Sequence, residues 1–273
     1  MADLILAVLR EPGRARNILD AADRLAGLAG AGWLTALAVR EPIHVPALAA
    51  EELAHEADEI LAAKNQEGRR IAALEEAFRE WVDANATPAA QAKWVAVEGS
   101  LAALVEERGS RADIVVAARA VDEDDHPARH AMRAALFATG RPVLAVPPGP
   151  VAAFGRRVAI AWKNDARMWK ALVPALRFLD RAEEVHVMIG ARNDAPPPVL
   201  SPALAERGIQ AQLHVLPVGA PPFGQALLEK AHELGADMLI MGAYAHSPLR
   251  EYVLGGVTRY LLFHADLPVF MRH

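Results

Sequence analysis

The sequence predicts an α/β protein made of two copies of one unit, each a parallel β-sheet covered by helices on both faces. The octapeptide RADIVVAA at residues 111–118 recurs as GADMLIMG at residues 235–242, an offset of 124. Downstream, Arg133, Leu136, Phe137, Pro142 and Val143 recur as Arg259, Leu262, Phe263, Pro268 and Val269, an offset of 126. Short apolar runs alternate with helical stretches throughout, and this alternation is typical of a doubly wound parallel sheet.

Ten short runs rich in apolar residues are predicted to be strands, five in each half of the chain. Most are apolar along their whole length, as expected for parallel strands that are covered on both faces. They are residues 4–9, 33–39, 93–97, 114–118 and 142–146 in the first half, and 157–162, 184–189, 212–217, 238–241 and 268–271 in the second.

The stretches between the strands predict crossover helices, for example residues 14–28 and 223–234. Segment 51–85 has apolar residues at helical spacing, so its apolar stripe is expected to lie on the sheet, with binding of a partner or a membrane surface as the alternative. Gly68 is expected to kink or split this helix. The corresponding segment 191–209 contains three consecutive prolines and predicts a loop with one turn of helix.

A proline-rich stretch, Pro147-Pro148-Gly149-Pro150, follows the fifth predicted strand. Proline removes a ladder donor and ends strands, so the boundary between the two units is predicted here. The predicted domains are residues 1–150 and 151–273.

The composition narrows the classes of function. The net charge of −5 offers no general basic field for nucleic acid and no polybasic membrane patch. The absence of cysteine excludes disulfides, thiolate metal sites and cysteine nucleophiles. The short apolar run near the N-terminus is interpreted as a first strand and not as a signal peptide, and no apolar run reaches the roughly 18 residues of a membrane span. A cytoplasmic location is expected.

The stretch GAYAHSPLREYVLGGVTR, residues 242–259, follows an apolar strand and ends in a glycine pair that opens a predicted helix. A glycine-bounded connection of this kind builds a cradle for phosphate, because the free N–H groups of a helix N-terminus face the anion. Gly256 and Val257 would supply these groups, and Thr258 would either cap the helix or add a donor. The alternative is that Gly242, Gly255 and Gly256 serve only a tight connection from strand to helix. His246 would either touch a ligand or bond locally within the loop.

The tail GADMLIMGAYAHSPLREYVLGGVTRYLLFHADLPVFMRH closely resembles the end of a universal stress protein domain, and the whole chain resembles a tandem member of that family. The resemblance implies a Rossmann-like, five-stranded parallel sheet in strand order 3-2-1-4-5 in each domain. It also implies that the last strands of the two domains pair, so that the chain forms an intramolecular pseudo-dimer. Further association into a homodimer is left open.

In nucleotide-binding members of this family the phosphate loop reads Gly, two residues, Gly, nine residues, Gly, then Ser or Thr. Gly242 and Gly255 match this pattern at the required spacing, whereas Ala245 and Gly256 take the places of the second glycine and of the hydroxyl residue. Ala245 adds a Cβ where the phosphate would approach the backbone. Gly256 loses the hydroxyl donor and keeps its N–H.

The other side of the pocket is expected where the first strand of the second domain ends, at Trp162, Lys163, Asn164 and Asp165, since strands 1 and 4 flank the switch point. Nucleotide-binding relatives usually carry an aspartate directly after this strand, near the adenine. Lys163 stands there instead and is expected to meet a phosphate. Trp162 would either stack on a base or pack between sheet and helix. The second strand would add backbone groups near Val187.

The first domain departs further from the family pattern. Ala118 stands where Gly242 does, and Arg129 and His130 stand where the glycine pair does. Four consecutive acids, residues 122–125, would repel a phosphate, so this domain is predicted to have lost nucleotide binding. His126 and His130 have a spacing that metals use on a helix, but acids before a helix start explain the segment more simply.

The leading functional hypothesis is a stress-response regulatory protein that binds ATP, another adenine nucleotide or a related anion in its second domain. The alternatives are a structural or interaction protein that binds no nucleotide, and a weak ATPase. Catalysis has little support, because the chain has neither a Gly-x-Ser-x-Gly elbow nor a Walker loop.

Overall fold

The computed structural model describes residues 4–43, 50–85, 87–151, 153–163, 165–192, 202–219, 221–243 and 256–273, with the backbone alone at residues 50–56 and 203. The strands are β1 (Leu4–Leu9), β2 (Trp33–Arg40), β3 (Gln91–Glu98), β4 (Ile114–Ala118), β5 (Val143–Val146), β6 (Arg157–Trp162), β7 (Glu184–Ala191), β8 (Ala211–Pro217), β9 (Met238–Gly242) and β10 (Val269–Arg272). The helices are α1 (Pro12–Ala29), α2 (Ala50–Ala84), α3 (Leu101–Gly109), α4 (His126–Ala138), α5 (Ala166–Leu179), α6 (Pro202–Ala205), α7 (Phe223–Glu233) and α8 (Gly256–His264).

The ten strands form one sheet in the order β3-β2-β1-β4-β5-β10-β9-β6-β7-β8. Each half therefore has the strand order 3-2-1-4-5 that the family resemblance implies. All neighbouring strands of the described sheet run parallel except β5 and β10. The predicted α/β fold with alternating strands and helices is confirmed, and the predicted strand bounds agree to within two residues.

The two halves meet where β5 and β10 pair antiparallel, with Leu144 opposite Phe270 and Val143 opposite Met271. These four side chains are fully buried. The Phe270 ring also meets the Phe178 ring edge-on, with centroids 5.3 Å apart. The two last strands thus join the halves into a continuous sheet, which is the pairing expected of an intramolecular pseudo-dimer.

Helices cover both faces of this sheet. One buried cluster joins the sheet to α1, α2 and α5, and the other joins it to α3, α4, α7 and α8. Helix α2 is continuous over 35 residues, so the expectation that Gly68 splits it is wrong, and a kink at Gly68 stays a prediction. Helix α6 supplies the single helical turn predicted in segment 191–209. None of the helices in the described ranges is long and apolar enough to cross a membrane.

A repeated aspartate explains part of the internal repeat. Asp113 accepts the backbone N–H of Leu4 at 2.8 Å, and Asp237 accepts the backbone N–H groups of Gly155, Arg156 and Arg157 at 2.7–3.1 Å. In each half, this carboxylate just before the fourth strand ties down the start of the first strand. The recurrence of the Ala-Asp pair therefore has a structural cause that is the same in both halves.

The connection between the halves is fastened to α1. The Asn17 amide donates to the Pro147 carbonyl at 2.8 Å and accepts the Val151 N–H at 2.9 Å, while Arg24 donates to the carbonyl of the buried Phe154. Pro147, Val151 and Phe154 are therefore tied to the first half. The domain boundary at residue 150 stays a prediction.

A histidine pair lies under α7 in the second half. His186 on β7 is 2% exposed, and its Nδ1 lies 3.3 Å from Nε2 of His214 on β8. Glu184 lies 3.4 Å from the other nitrogen of His186. Burial lowers the pKa of His214, and the neighbouring His186 and Lys230 lower it further. The folded state therefore resists protonation of His214.

We predict that the protein loses stability as the pH falls through the range below the ordinary histidine pKa of about 6.5. The unfolded chain takes up the His214 proton at a higher pH than the folded chain does, so acid favours unfolding. Urea unfolding at a series of pH values from 7.5 to 5 measures this dependence. The His214→Gln variant should show a shallower decline, and an equal decline in both proteins would contradict the assignment.

Candidate functional site

The candidate site lies at the carboxyl edge of the second half of the sheet. β6 and β9 are parallel neighbours in the middle of that half, with Ala161 opposite Met241. Helix α5 leads from β6 to β7, and helix α8 leads from β9 to β10. Since β7 and β10 lie on opposite sides of the β6–β9 pair, the two connections run in opposite directions from it. This is the topological switch point at which open α/β sheets bind ligands.

Two basic residues follow β6. Lys163 is 73% exposed, and its ammonium group lies 3.8 Å from the carboxylate of Asp165. Asp165 caps α5, accepting the N–H groups of Arg167 at 3.1 Å and Met168 at 3.0 Å. The aspartate therefore serves the helix start, and Lys163 and Arg167 bring positive charge to the edge.

The two tryptophans of this region, Trp162 and Trp169, are in contact. The rings of Trp162 and Trp169 meet edge-on with centroids 5.3 Å apart, and both are partly buried against the α5 side of the sheet. Trp162 thus has a packing partner within the second half. Stacking of Trp162 on a base stays a prediction.

Gly242 ends β9 and lies against the first turn of α5. A Cβ at this position would stand 2.9 Å from the backbone nitrogen of Met168 and 3.0 Å from the carbonyl carbon of Arg167. Backbone atoms have little room to move, so glycine is required here by packing. The same close contact brings the end of β9 beside the helix turn that carries Arg167.

Helix α8 begins at Gly256 at this edge of the sheet. Gly256 is exposed and its α-carbon has open space around it, whereas Val257 packs partly against the core and Thr258 is 4% exposed. The first N–H groups of a helix have no acceptor within it. The exposed start of α8 therefore offers backbone donors to an anion.

The remaining predicted site residues differ in their placement. Asn164, Ala245, His246 and Gly255 lie outside the described residues. Val187 is 1% exposed and lies four residues before the end of β7, between Ile160 and Leu213 of the neighbouring strands. It is therefore inside the sheet and not at its edge, because β7 continues two residues beyond its predicted end.

A cleft of about 420 Å³ lies next to the start of α8, between the halves. Gly256, Arg259, Tyr260, Phe263 and His264 of α8 form one side, and Val121, Asp122 and Glu123 of the first half form the other. Glu123 forms an ion pair with Arg259, whose guanidinium lies 5.9 Å from the centre of the Phe263 ring. The first half therefore contacts α8, the helix whose start forms part of the candidate site.

The corresponding crevice of the first half is closed by its own side chains. Asp125 caps α4 by accepting the Ala128 N–H at 3.2 Å, and it also accepts the Val121 N–H at 2.9 Å. Arg14, in the first turn of α1, donates to the same carboxylate at 2.8 Å and lies 3.2 Å from Glu11. The acidic helix start predicted here is confirmed, with Pro127 in its first turn.

The charges in this closed crevice perturb one another. Burial acts to raise the pKa of Asp125, but the N–H groups of Val121 and Ala128 and the Arg14 guanidinium hold it below its usual value. Burial raises the pKa of Glu11, and the neighbouring Asp125 raises it further against the opposing effect of Arg14. The remaining space is about 10 Å³, which is roughly the room for one water molecule.

α4 and α8 end at matching positions of the repeat, Ala138 and His264. The start of α4 places Asp125 in contact with Arg14. Arg129 and His130, which the repeat aligns with the glycine pair, lie one turn inside α4.

Sequence reasoning missed Arg14, Arg119 and Arg167, together with the contact between Arg14 and Asp125. Arg167 would have been found by noting that α1 and α5 both carry an arginine in their first turn. Arg14 and Asp125 are 111 residues apart, and no local pattern signals their contact. Arg119 is 5% exposed and reaches across to α8, although long basic side chains are rarely buried.

The sequence model of the universal stress protein family matches residues 111–273, which is 163 of the 273 residues. The chain belongs to the universal stress protein family. The match includes β4 to β5 of the first half and the whole second half with the candidate site. Among curated proteins, none matches this universal stress protein significantly.

Solved structures share the fold over the whole chain. A universal stress protein from Archaeoglobus fulgidus is 16% identical, with 99% of this chain and 96% of that chain covered and a TM-score of 0.67. A functionally unknown protein from Pseudomonas aeruginosa is 16% identical, with 99% and 92% covered and a TM-score of 0.57. The cytoplasmic domain of a prokaryotic cation chloride cotransporter is 16% identical, with 100% and 96% covered and a TM-score of 0.52. At these identities the likeness concerns the fold.

We predict that Gly242→Ala lowers the free energy of unfolding by about 1–3 kcal/mol, because the new Cβ would press on the α5 backbone. Gly256→Ala is the matched control. Its Cβ meets no neighbour within 4 Å, and in a helix alanine is favoured over glycine by about 1 kcal/mol. Urea unfolding of both variants measures the difference. Equal stability of the two variants would contradict the packing role of Gly242.

Proposed function

We propose that this universal stress protein is a cytoplasmic stress-response protein that binds one nucleotide or related phosphate-bearing anion in its second half. The start of α8 would hold the phosphates with the N–H groups of Gly256 and Val257. Lys163 and Arg167 would neutralise their charge from the end of β6 and the start of α5. ATP or another adenine nucleotide is the proposed ligand class.

The observation that carries this proposal is the contact of Gly242 with the first turn of α5. This contact gathers the end of β9, the end of β6 and the first turn of α5 at one point of the carboxyl edge. Phosphate sites in proteins combine backbone N–H groups at a helix start with basic side chains. The second half carries both on its carboxyl side, in the N–H groups at the start of α8 and the side chains of Lys163 and Arg167. Asp165, the acid beside Lys163, is engaged in capping α5.

The contrast between the halves supports a single site. In the first half the corresponding helix start is occupied by Asp125, and Arg14 is paired with that carboxylate. A phosphate would have to displace a partly buried ion pair and would meet the negative charge of the acidic loop. We therefore propose one ligand per chain and a packing role for the first crevice.

Calorimetric titration of ATP and of inorganic phosphate into nucleotide-free protein tests the proposal. The wild-type protein should bind ATP with a stoichiometry of one. Lys163→Ala should weaken binding about tenfold, equivalent to about 1.4 kcal/mol, because it removes one charge-assisted contact from the phosphates. Lys163 is exposed, so its removal should leave the unfolding midpoint unchanged.

Lys93→Ala is the matched control, since Lys93 is an exposed lysine on the edge strand β3 of the first half. It should bind ATP as the wild type does. Absence of heat at millimolar ATP would contradict the proposal and favour a structural or interaction protein. Equal affinity of Lys163→Ala and the wild type would remove Lys163 from the site.

A further inference from the structure

The first half of the chain holds the last turn of α8 through one buried arginine. Arg119 follows β4, and its Nη1 donates to the Leu262 carbonyl at 3.2 Å and to its own neighbour Ala120 at 2.8 Å. The side chain is 5% exposed. Leu262 lies two residues before the end of α8, where carbonyl groups have no N–H partner within the helix.

This contact is a C-terminal cap supplied from the other half of the molecule. A guanidinium at the end of a helix satisfies an unpaired carbonyl and interacts favourably with the helix dipole. Short α-helices are marginal without such support. The cation at the end of α8 and an anion at its start would stabilise the same dipole.

Arg119 is itself held in a fixed place. Its N–H donates to the Val146 carbonyl at 2.7 Å, and its carbonyl accepts Nη1 of Arg14 at 3.3 Å. Arg14 is anchored in turn by Asp125, which closes the first crevice. Two residues before Asp125, Glu123 pairs with Arg259 on the exposed side of α8. Residues 119–125 therefore touch α8 at two points.

The arginine cap has no counterpart at the equivalent position of the second half, although His273 meets the Phe137 ring in the last turn of α4 with centroids 4.9 Å apart. By the repeat offset of 124, Ala243 of the second half corresponds to Arg119. Its methyl group is fully buried and carries no donor for the end of α4. The first half thus caps a helix of the second half, and the residue at the equivalent position does not return the contact.

We propose that the closed first crevice positions α8 for ligand binding, with Arg119 as its C-terminal cap and Glu123 as a second tie. This inference rests on the proposed anion site at the start of α8. Arg119, Asp125 and Glu123 are positioning residues, because they act on the site through α8. The first half, closed to ligands itself, thereby sets the affinity of the second.

Hydrogen exchange of the ligand-free protein tests the positioning, and ATP titration tests its effect on binding. In Arg119→Met the α8 amides should exchange about tenfold faster, as expected from the loss of one charge-assisted hydrogen bond, while those of α7 keep their rates. ATP should bind severalfold more weakly. Arg119→Lys, which keeps a charged donor, should restore part of both effects.

A second pair of variants avoids any change in the core. Glu123→Gln breaks the exposed tie to Arg259 and should speed exchange in α8 by a smaller factor. Asp124→Asn is the matched control, because it makes the same charge change one residue away and leaves the contacts of Glu123 and Asp125 in place. This control should exchange as the wild type does.

The outcomes separate the two proposals. Faster exchange confined to α8, in a protein that binds no ATP, would retain the positioning and remove the proposed function. Unchanged α8 exchange in both Arg119→Met and Glu123→Gln would overturn the positioning, whatever the wild-type affinity. Equal acceleration of α7 and α8 would also overturn it, because Arg119 would then support the whole second half.

Discussion

The antiparallel pairing of β5 with β10 is the contact on which the rest of the molecule depends. Each half is a parallel sheet whose last strand would otherwise be an open edge, and open edges invite association with other chains. Joining the two last strands removes both edges and buries Val143, Leu144, Phe270 and Met271. It also sets α4 and α8 close enough for residues of one half to touch helices of the other.

The two halves differ at the carboxyl edge of the sheet. In the first half, the start of α4 brings the Asp125 carboxylate onto Arg14 and fills the crevice. In the second half, Gly256 at the start of α8 is exposed, and the basic residues Lys163 and Arg167 lie after β6 and in the first turn of α5. We propose that the closed crevice has a positioning role, since it fixes residues 119–125, which contact α8.

Much of the fold is predictable from the sequence, because burial imposes a strong pattern. Strands covered on both faces are apolar along their length, and the repeat indicates that the second half copies the order of the first. Helix α2 is not split at Gly68, because a single glycine costs a helix about 1 kcal/mol, which the packing of Ile71, Leu74 and Phe78 outweighs. Strand β7 was predicted two residues too short for a similar reason, since Gly190 and Ala191 have weak strand propensity but pair with β8.

The site was less accessible to sequence reasoning. Gly242 was interpreted as a phosphate-loop glycine, and the structure gives it a packing reason as well, through the α5 backbone. Arg167 shows no motif of its own, and the contacts of Arg14 with Asp125 and of Arg119 with Leu262 join residues more than 100 positions apart. Contacts of that kind depend on the strand order, so they become visible when the topology is known.

The most direct test of the account is a crystal structure of the protein grown with saturating ATP. The account predicts nucleotide density at one place per chain, with its phosphates beside Gly256 and Lys163, and an intact Arg14–Asp125 ion pair in the first half. Density in the first crevice, or a map with no nucleotide in either half, would contradict it.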